Sequence, residues 1–293
     1  MTAMKKRPQI FLRRFIALSL GMATLCSCSR VKLAYPFANL YVSSQAHHYL
    51  KLDSDQEKVL QSQIKAYMAW HRRQMLPAYA AACRKLSRGL KGLEPAKDNI
   101  EAMTPILGAL YADGMEPLIK PTAKLLAGLD SKQVDFLDAA MQKEVSKQRQ
   151  KILDSHKDPE KVKSIKRTLG YIEDFAGPLS REQKEKIKAL SLAVHVPAEA
   201  WLLEREKRDK RLMELLRGEK NQEALEAWLK EAWLRGRMSE SKSDPDRVNA
   251  VGLKAYFLGV LEVLTPQQRV RAAEVLEDYA RDFEELAGLK AGD

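Results

Sequence analysis

From residue 53 onward, apolar side chains return every three or four positions. Between 53 and 76, Val59, Leu60, Ile64, Tyr67, Met68 and Met75 fall on one broad side. Between 265 and 289, Val270, Ala273, Leu276, Ala280, Phe283 and Leu286 do the same, with Glu and Arg opposite. This spacing predicts amphipathic helices, and no segment sustains the two-residue alternation of a half-buried strand. The remaining positions are rich in Ala, Leu, Lys, Glu, Gln and Arg, all good helix formers. Breaks are expected at Lys91-Gly92, Ala127-Gly128, Ala176-Gly177-Pro178, Arg217-Gly218 and Ser241 to Pro245. Pro77, Pro105, Pro117, Pro121 and Pro197 are expected to kink or end the helices that contain them. With only 14 Gly, 12 Pro and 7% aromatic residues in 293, a β-sandwich or barrel is disfavoured. The expectation is an all-α, elongated multi-helix bundle.

Four helix openings share one pattern. They read Leu52-Asp53-Ser54-Asp55-Gln56, Leu129-Asp130-Ser131-Lys132-Gln133, Leu179-Ser180-Arg181-Glu182-Gln183 and Leu264-Thr265-Pro266-Gln267-Gln268. In each, a cap residue follows Leu and a Gln stands at the third helical position. A Ser or Thr oxygen there accepts from the N3 amide while the N3 side chain reaches back to the cap's own N–H. An Asp cap supplies the first of these bonds equally well, each cap contributing about 1 kcal/mol. The preceding Leu can staple onto the first turn. Leu52 and Leu129 stand 77 residues apart, Leu179 and Leu264 85 apart. Two matching intervals predict two related helical halves, 52–178 and 179–293, each with two such openings.

These residues resemble the LTxxQ motif of the small periplasmic Spy/CpxP-type chaperones. Those proteins are all-helical, carry two copies per chain and pair into a curved cradle. Leu264 to Gln268 matches the motif fully, Leu179 to Gln183 has Ser for Thr, and the first two copies have Asp. The resemblance implies that one chain supplies in tandem what the chaperones build as a dimer. Its work would be weak, non-enzymatic holding of unfolded or envelope proteins on a helical face of scattered apolar and basic residues.

The N-terminus gives an address. Lys5, Lys6, Arg7, Arg13 and Arg14 precede an apolar run of eleven, Phe15 to Leu25, with no acidic residue among the first 27. Basic, apolar and small residues in that order predict a secretory signal peptide, residues 1–27. Eleven residues are too few to span a bilayer, and no run reaches the roughly 18 that a spanning helix needs. Leu25, Ser27 and Cys28 resemble a bacterial lipobox, which implies acylation of Cys28. Ser29 in place of Asp implies sorting to the outer membrane, facing the periplasm. With the lipobox, Leu33, Tyr35, Leu52 to Gln56, Trp70-His71-Arg72, Leu76-Pro77 and Tyr79, the chain also resembles a family of proteobacterial lipoproteins of unknown function.

Loss of those five basic residues lowers the net charge from +11 to +6. Residues 28–51, a linker or helix next to the lipid, keep Arg30, Lys32 and Lys51 and no acidic residue, which suits anionic headgroups. The basic composition does not indicate nucleic acid, because no recognition motif is present and most cations have a carboxylate nearby. Within 31–49, Tyr35, Phe37, Leu40, Tyr41 and Tyr49 suit either the lipid interface or docking on the bundle.

No catalytic constellation is legible. The sequence lacks GxSxG, HExxH, P-loop and GxGxxG patterns. Cys83, within Ala80-Ala81-Ala82-Cys83, reads as helix packing. His47 and His48 are adjacent, so on a helix they diverge by about 100° and do not form an i, i+4 ligand pair. A metal site would have to join one of them to His71 and a carboxylate such as Asp53, and solvated or capping roles are the preferred reading. Glu204/Arg208 and Glu206/Lys210 read as surface ion pairs. Trp201, Trp228 and Trp233 read as packing anchors. Trp70, His71, Arg72 and Arg73, with Tyr79 beyond Pro77, form the densest group of functional side chains and are the candidate partner-binding residues. The expectation is a non-enzymatic binding protein with no cofactor, metal, small-molecule substrate or nucleic acid. Its partners would be the membrane, through Cys28, and envelope proteins. The alternative is an adaptor with one specific partner in an envelope assembly, and the third reading is an enzyme.

Overall fold

Helices take up nearly all of the chain that the structure, a computed structural model, describes: residues 30–92, 96–155, 159–193, 198–238 and 245–288. The fold is an all-α multi-helix bundle, with no strand among the described residues. A short helix α1 (Arg30–Ala34) passes through a 3-10 turn (Tyr35–Phe37) into α2 (Ala38–Tyr49). Then follow α3 (Ser54–Leu90), α4 (Ala96–Ala127), α5 (Ser131–Ser155), α6 (Pro159–Ala176), α7 (Arg181–Ala193), α8 (Ala198–Arg217), α9 (Gln222–Met238), α10 (Pro245–Val263) and α11 (Pro266–Ala287). No helix among the described residues is long and apolar enough to cross a membrane. Cys28, His156, His195 and Pro197 lie outside the described residues.

Four of the five prolines expected to kink or end helices do not end them. Pro77 lies inside α3, and Pro105, Pro117 and Pro121 lie inside α4. An interior Pro costs about 3 kcal/mol. Around Pro77 that cost is offset by burial of Met75, Leu76 and Ala80, each at most 3% exposed. The apolar stripes have exposed margins, since Val59 and Val270 face solvent.

Among the described residues, several of the main helix contacts, though not that of α3 with α4, cross from one side of residue 178 to the other. The most extensive is α11 against α3, and α4 packs on both α3 and α9 while α5 packs on α8. Small buried residues on both partners, Ala80 and Ala82 on α3 and Ala272, Ala273 and Ala280 on α11, allow a close approach. Arg84 of α3 reinforces this contact. Its Nη1 donates to Glu277 at 3.0 Å, and its Nε and Nη2 hold both oxygens of Glu284.

Two apolar cores form among the described residues. The larger joins Ile119, Leu126, Leu129, Val134 and Leu137 to Leu212, Leu216, Leu225, Trp228 and Leu229. The smaller joins Ala176, Leu179, Ile187, Tyr256, Val260 and Leu264. Each contains the leucines of helix openings. Leu129 is buried in the first with Leu52 packed against it, and Leu179 and Leu264 are buried in the second.

Candidate functional site

The four openings are reciprocal capping boxes. Asp53, Asp130, Ser180 and Thr265 each accept from the main-chain N–H of the Gln three residues on, at 2.8–3.2 Å. Each Gln Oε1 in turn accepts the cap's N–H at 2.9–3.0 Å. The Asp copies make both bonds as fully as the Ser and Thr copies do.

The side-chain amides then pair across helices. Gln56 and Gln133 exchange Nε2–H···Oε1 bonds of 3.2 and 2.7 Å. Gln183 and Gln268 exchange bonds of 2.7 and 3.2 Å. The second Nε2 proton of each goes to a carbonyl two residues ahead of the partner's cap. Gln56 donates to Gly128, Gln133 to Lys51, Gln183 to Val263 and Gln268 to Pro178, at 2.7–3.0 Å. Every Oε1 therefore accepts twice and every Nε2 donates twice, which fills both donor positions and both acceptor sites of each amide. Each pair is a locally two-fold joint, α3 to α5 in one and α7 to α11 in the other. Four interhelical bonds per joint, each about 1 kcal/mol net, exceed what capping alone supplies.

A turn at Gly177 feeds the second joint. Its φ of +82° is left-handed, and a Cβ there would lie 3.2 Å from the Arg271 side chain. Beyond the joint, Pro266, Gln267, Val270, Arg271 and Glu274 line a shallow depression of about 430 Å³.

The candidate partner-binding residues lie midway along α3, where an aromatic nest closes around His71. Its Nδ1 is 3.1 Å from the Tyr35 hydroxyl and its Nε2 3.4 Å from that of Tyr79. Tyr67 packs on both Trp70 and His71, and Tyr79 meets Phe283 of α11 edge-on. Tyr67 donates its hydroxyl to the Gly114 carbonyl of α4 at 2.9 Å. Burial holds His71 below its ordinary pKa and pushes Tyr67 up to about 12, the tyrosine charges nearby adding to the latter. Burial also raises Tyr35, against the opposing charge of Arg72. A neutral imidazole donates from one nitrogen and accepts at the other, so two hydroxyls satisfy it. Arg72 lies over the Tyr35 ring at 5.6 Å, and Arg72 and Arg73 are exposed. The nest joins the 3-10 turn, α3, α4 and α11, which is a packing arrangement with an exposed cationic margin.

This chain matches, over residues 48–233, a family of unknown function. The chain belongs to that family, DUF6279. No curated protein and no solved structure matches it. The matched span of this DUF6279 chain contains the whole first joint, the Trp70 to Tyr79 group and Gln183, and ends in α9 before Gln268.

Other chemistry-bearing residues of the DUF6279 chain take part in packing and ion pairs. Burial, aided by the Glu277 charge, pushes the Cys83 thiol up to about 11, so it stays protonated at neutral pH. His47 meets Glu57 at 2.8 Å and His48 meets Glu144 at 3.2 Å. Among the described residues no three His, Cys, Asp or Glu side chains converge as a metal site. Glu204 and Glu206 have ion-pair partners besides those expected. Glu204 takes Lys207, Glu206 takes Arg149 of α5, and Arg205 meets Asp209. Long side chains reach a neighbouring helix as readily as their own next turn. Trp228 is buried in the larger core and donates its indole N–H to the Arg208 carbonyl at 3.0 Å. Trp233 packs against the same core.

The interhelical role of the glutamines is the feature that local sequence reasoning misses. A capping box accepts Glu or Gln at N3. This chain uses Gln at all four, and only the amide carries the donors that a joint needs.

Proposed function

We propose that this chain is an outer-membrane lipoprotein facing the periplasm, tethered through Cys28, that holds partly unfolded envelope proteins without chemistry. The observation that carries this reading is a set of large apolar side chains left outside both cores. Leu107 and Tyr111 on α4 and Phe257 on α10 are 53–54% exposed, and these two helices pack on each other. Phe136 and Leu153 on α5 and Leu203 on α8, another packed pair, are 40–52% exposed. Exposed aliphatic and aromatic groups give weak, adaptable binding, and beside the α5 and α8 set Arg149, Lys151 and Lys207 add charge that raises the rate of encounter. The LTxxQ-type openings support the same reading through their likeness to the periplasmic chaperones. The basic segment, apolar run and Cys28 lipobox support the tether and the location.

The purified chain is expected to suppress aggregation of a chemically unfolded client at equimolar ratio without nucleotide, as read by light scattering. Tyr111→Ser combined with Phe257→Ser should weaken that suppression. An unchanged scattering curve with the wild-type chain contradicts the proposal. A single stoichiometric partner in a crosslinking pull-down, with no client binding, favours the adaptor reading instead.

A further inference from the structure

Segment 31–49 places several large apolar residues on the side away from the bundle, the wrong side for a helix docked only on protein. Between 31 and 49 the positions turned toward the bundle are Val31, Lys32, Tyr35, Ala38, Ser43, Ala46 and Tyr49. Lys32 binds Asp282 and Glu285 of α11 at 2.9 and 2.7 Å, and Tyr35 stacks on His71. Ser43 accepts from Gln61 at 2.9 Å, and Tyr49 packs against the larger core. The outward positions also carry large apolar groups. Leu33, Phe37, Leu40 and Tyr41 are 61–66% exposed. Their spacing of four, three and one places them on one helical face. The face is also graded, because further along, the exposed positions become Ser44, Gln45, His47 and His48. Apolar character is thus confined to the end nearest residue 28.

We infer that the Leu33, Phe37, Leu40 and Tyr41 face lies in the headgroup region of the membrane that holds the lipid anchor. This inference rests on the proposed acylation of Cys28. Only Ser29 lies between Cys28 and Arg30, the start of α1, a two-step reach that a fully extended chain covers in about 7 Å. A tether that short holds α1 against the bilayer surface, where an amphipathic face sinks about 5–10 Å. Residues 28–51 hold no Asp or Glu, and with Lys32 paired to Asp282 and Glu285, Arg30 and Lys51 are the cations the segment keeps for an anionic leaflet. The inward contacts fix the segment to α3, α5 and α11. Immersion of the outward face therefore sets the orientation of the whole bundle on the membrane.

The test uses the full chain, exported, purified from membranes and reconstituted in vesicles of phosphatidylethanolamine and phosphatidylglycerol. Nitroxide labels are placed singly at Phe37→Cys, Leu40→Cys and Gln45→Cys in a Cys83→Ala background. Collision with oxygen reports the lipid phase and collision with a neutral nickel chelate reports water. Labels at 37 and 40 are expected to show several-fold more oxygen and less nickel collision than the label at 45. Equal nickel access at all three positions overturns the inference, as does spin–spin broadening at 37 and 40, which assigns the face to a second copy. The mass of the Cys28 peptide from the same preparation tests the anchor separately. An acylated peptide with water-exposed labels sinks the inference and leaves the tether standing. An unacylated chain whose labels are immersed sinks the tether and leaves the membrane face standing.

Discussion

Gln133→Glu is expected to destabilise the chain by about 3 kcal/mol, measured by urea unfolding at pH 7. The substitution keeps the capping box, since a carboxylate also accepts the Asp130 N–H. It removes the two amide protons that Gln133 gives to the Lys51 carbonyl and to Gln56 Oε1. Both acceptors then face a carboxylate at a position only 7% exposed. Burial beside two acceptor oxygens raises that carboxyl above the about 4.3 of an unfolded Glu. The unfolded chain then holds fewer protons than the folded one, so acidification favours folding. The deficit relative to wild type is accordingly expected to shrink as pH falls through the raised folded value toward the unfolded one. Gln267→Glu, at an exposed position next to the second joint, should change stability by less than about 0.5 kcal/mol. A loss below about 0.5 kcal/mol for Gln133→Glu would mean that the amide donors contribute nothing.

Ala273→Leu should cost about 3 kcal/mol or more, at the upper end of overpacking effects. Ala273 is 0% exposed on α11, whose main partner is α3. Leu adds three carbons at a fully buried position, so α11 must move away from the helices packed on it or the new side chain must take a strained rotamer. The consequence reaches both joints, because α3 begins at the first and α11 at the second. One cooperative unfolding transition with an unchanged denaturant slope is therefore expected in wild type and variant alike. A biphasic curve, in which 179–293 melts away from 52–178, would show that the crossing contacts do not couple the halves.

The features most legible in the sequence are the local ones. Cap geometry depends on residues three positions apart, so Leu52 to Gln56 and its three counterparts announce their helix starts directly. The three- and four-residue stripes announce the helices between them. What lies beyond one turn is harder to read. The amide partners of Gln56 and Gln183 sit 77 and 85 residues away, and nothing local identifies them. The choice of Gln over Glu at four N3 positions is the one signal that points to a partner. Pairing of helices was equally illegible, because α3, α5, α8 and α11 share much the same composition and any apolar stripe can serve any other. Arg149 shows the same limit, since its link to Glu206 joins α5 to α8. In the candidate partner-binding group, the sequence marks Trp70, His71 and Tyr79 as dense and unusual. Only the fold brings Tyr35 and Phe283 to them and completes an aromatic nest. Tyr35 and Tyr49 against Phe37, Leu40 and Tyr41 make the point within one segment. Sequence leaves all five free to face lipid or bundle, and tertiary contact divides them.

A double-mutant cycle on Gln56 and Gln133 tests most directly whether the helix openings act as joints rather than as separate caps. Gln56→Leu, Gln133→Leu and the double variant are compared by urea unfolding. Reciprocal pairing predicts that the double variant loses about 1–2 kcal/mol less than the two single losses together. Additivity within about 0.5 kcal/mol would contradict it, leaving four independent capping boxes.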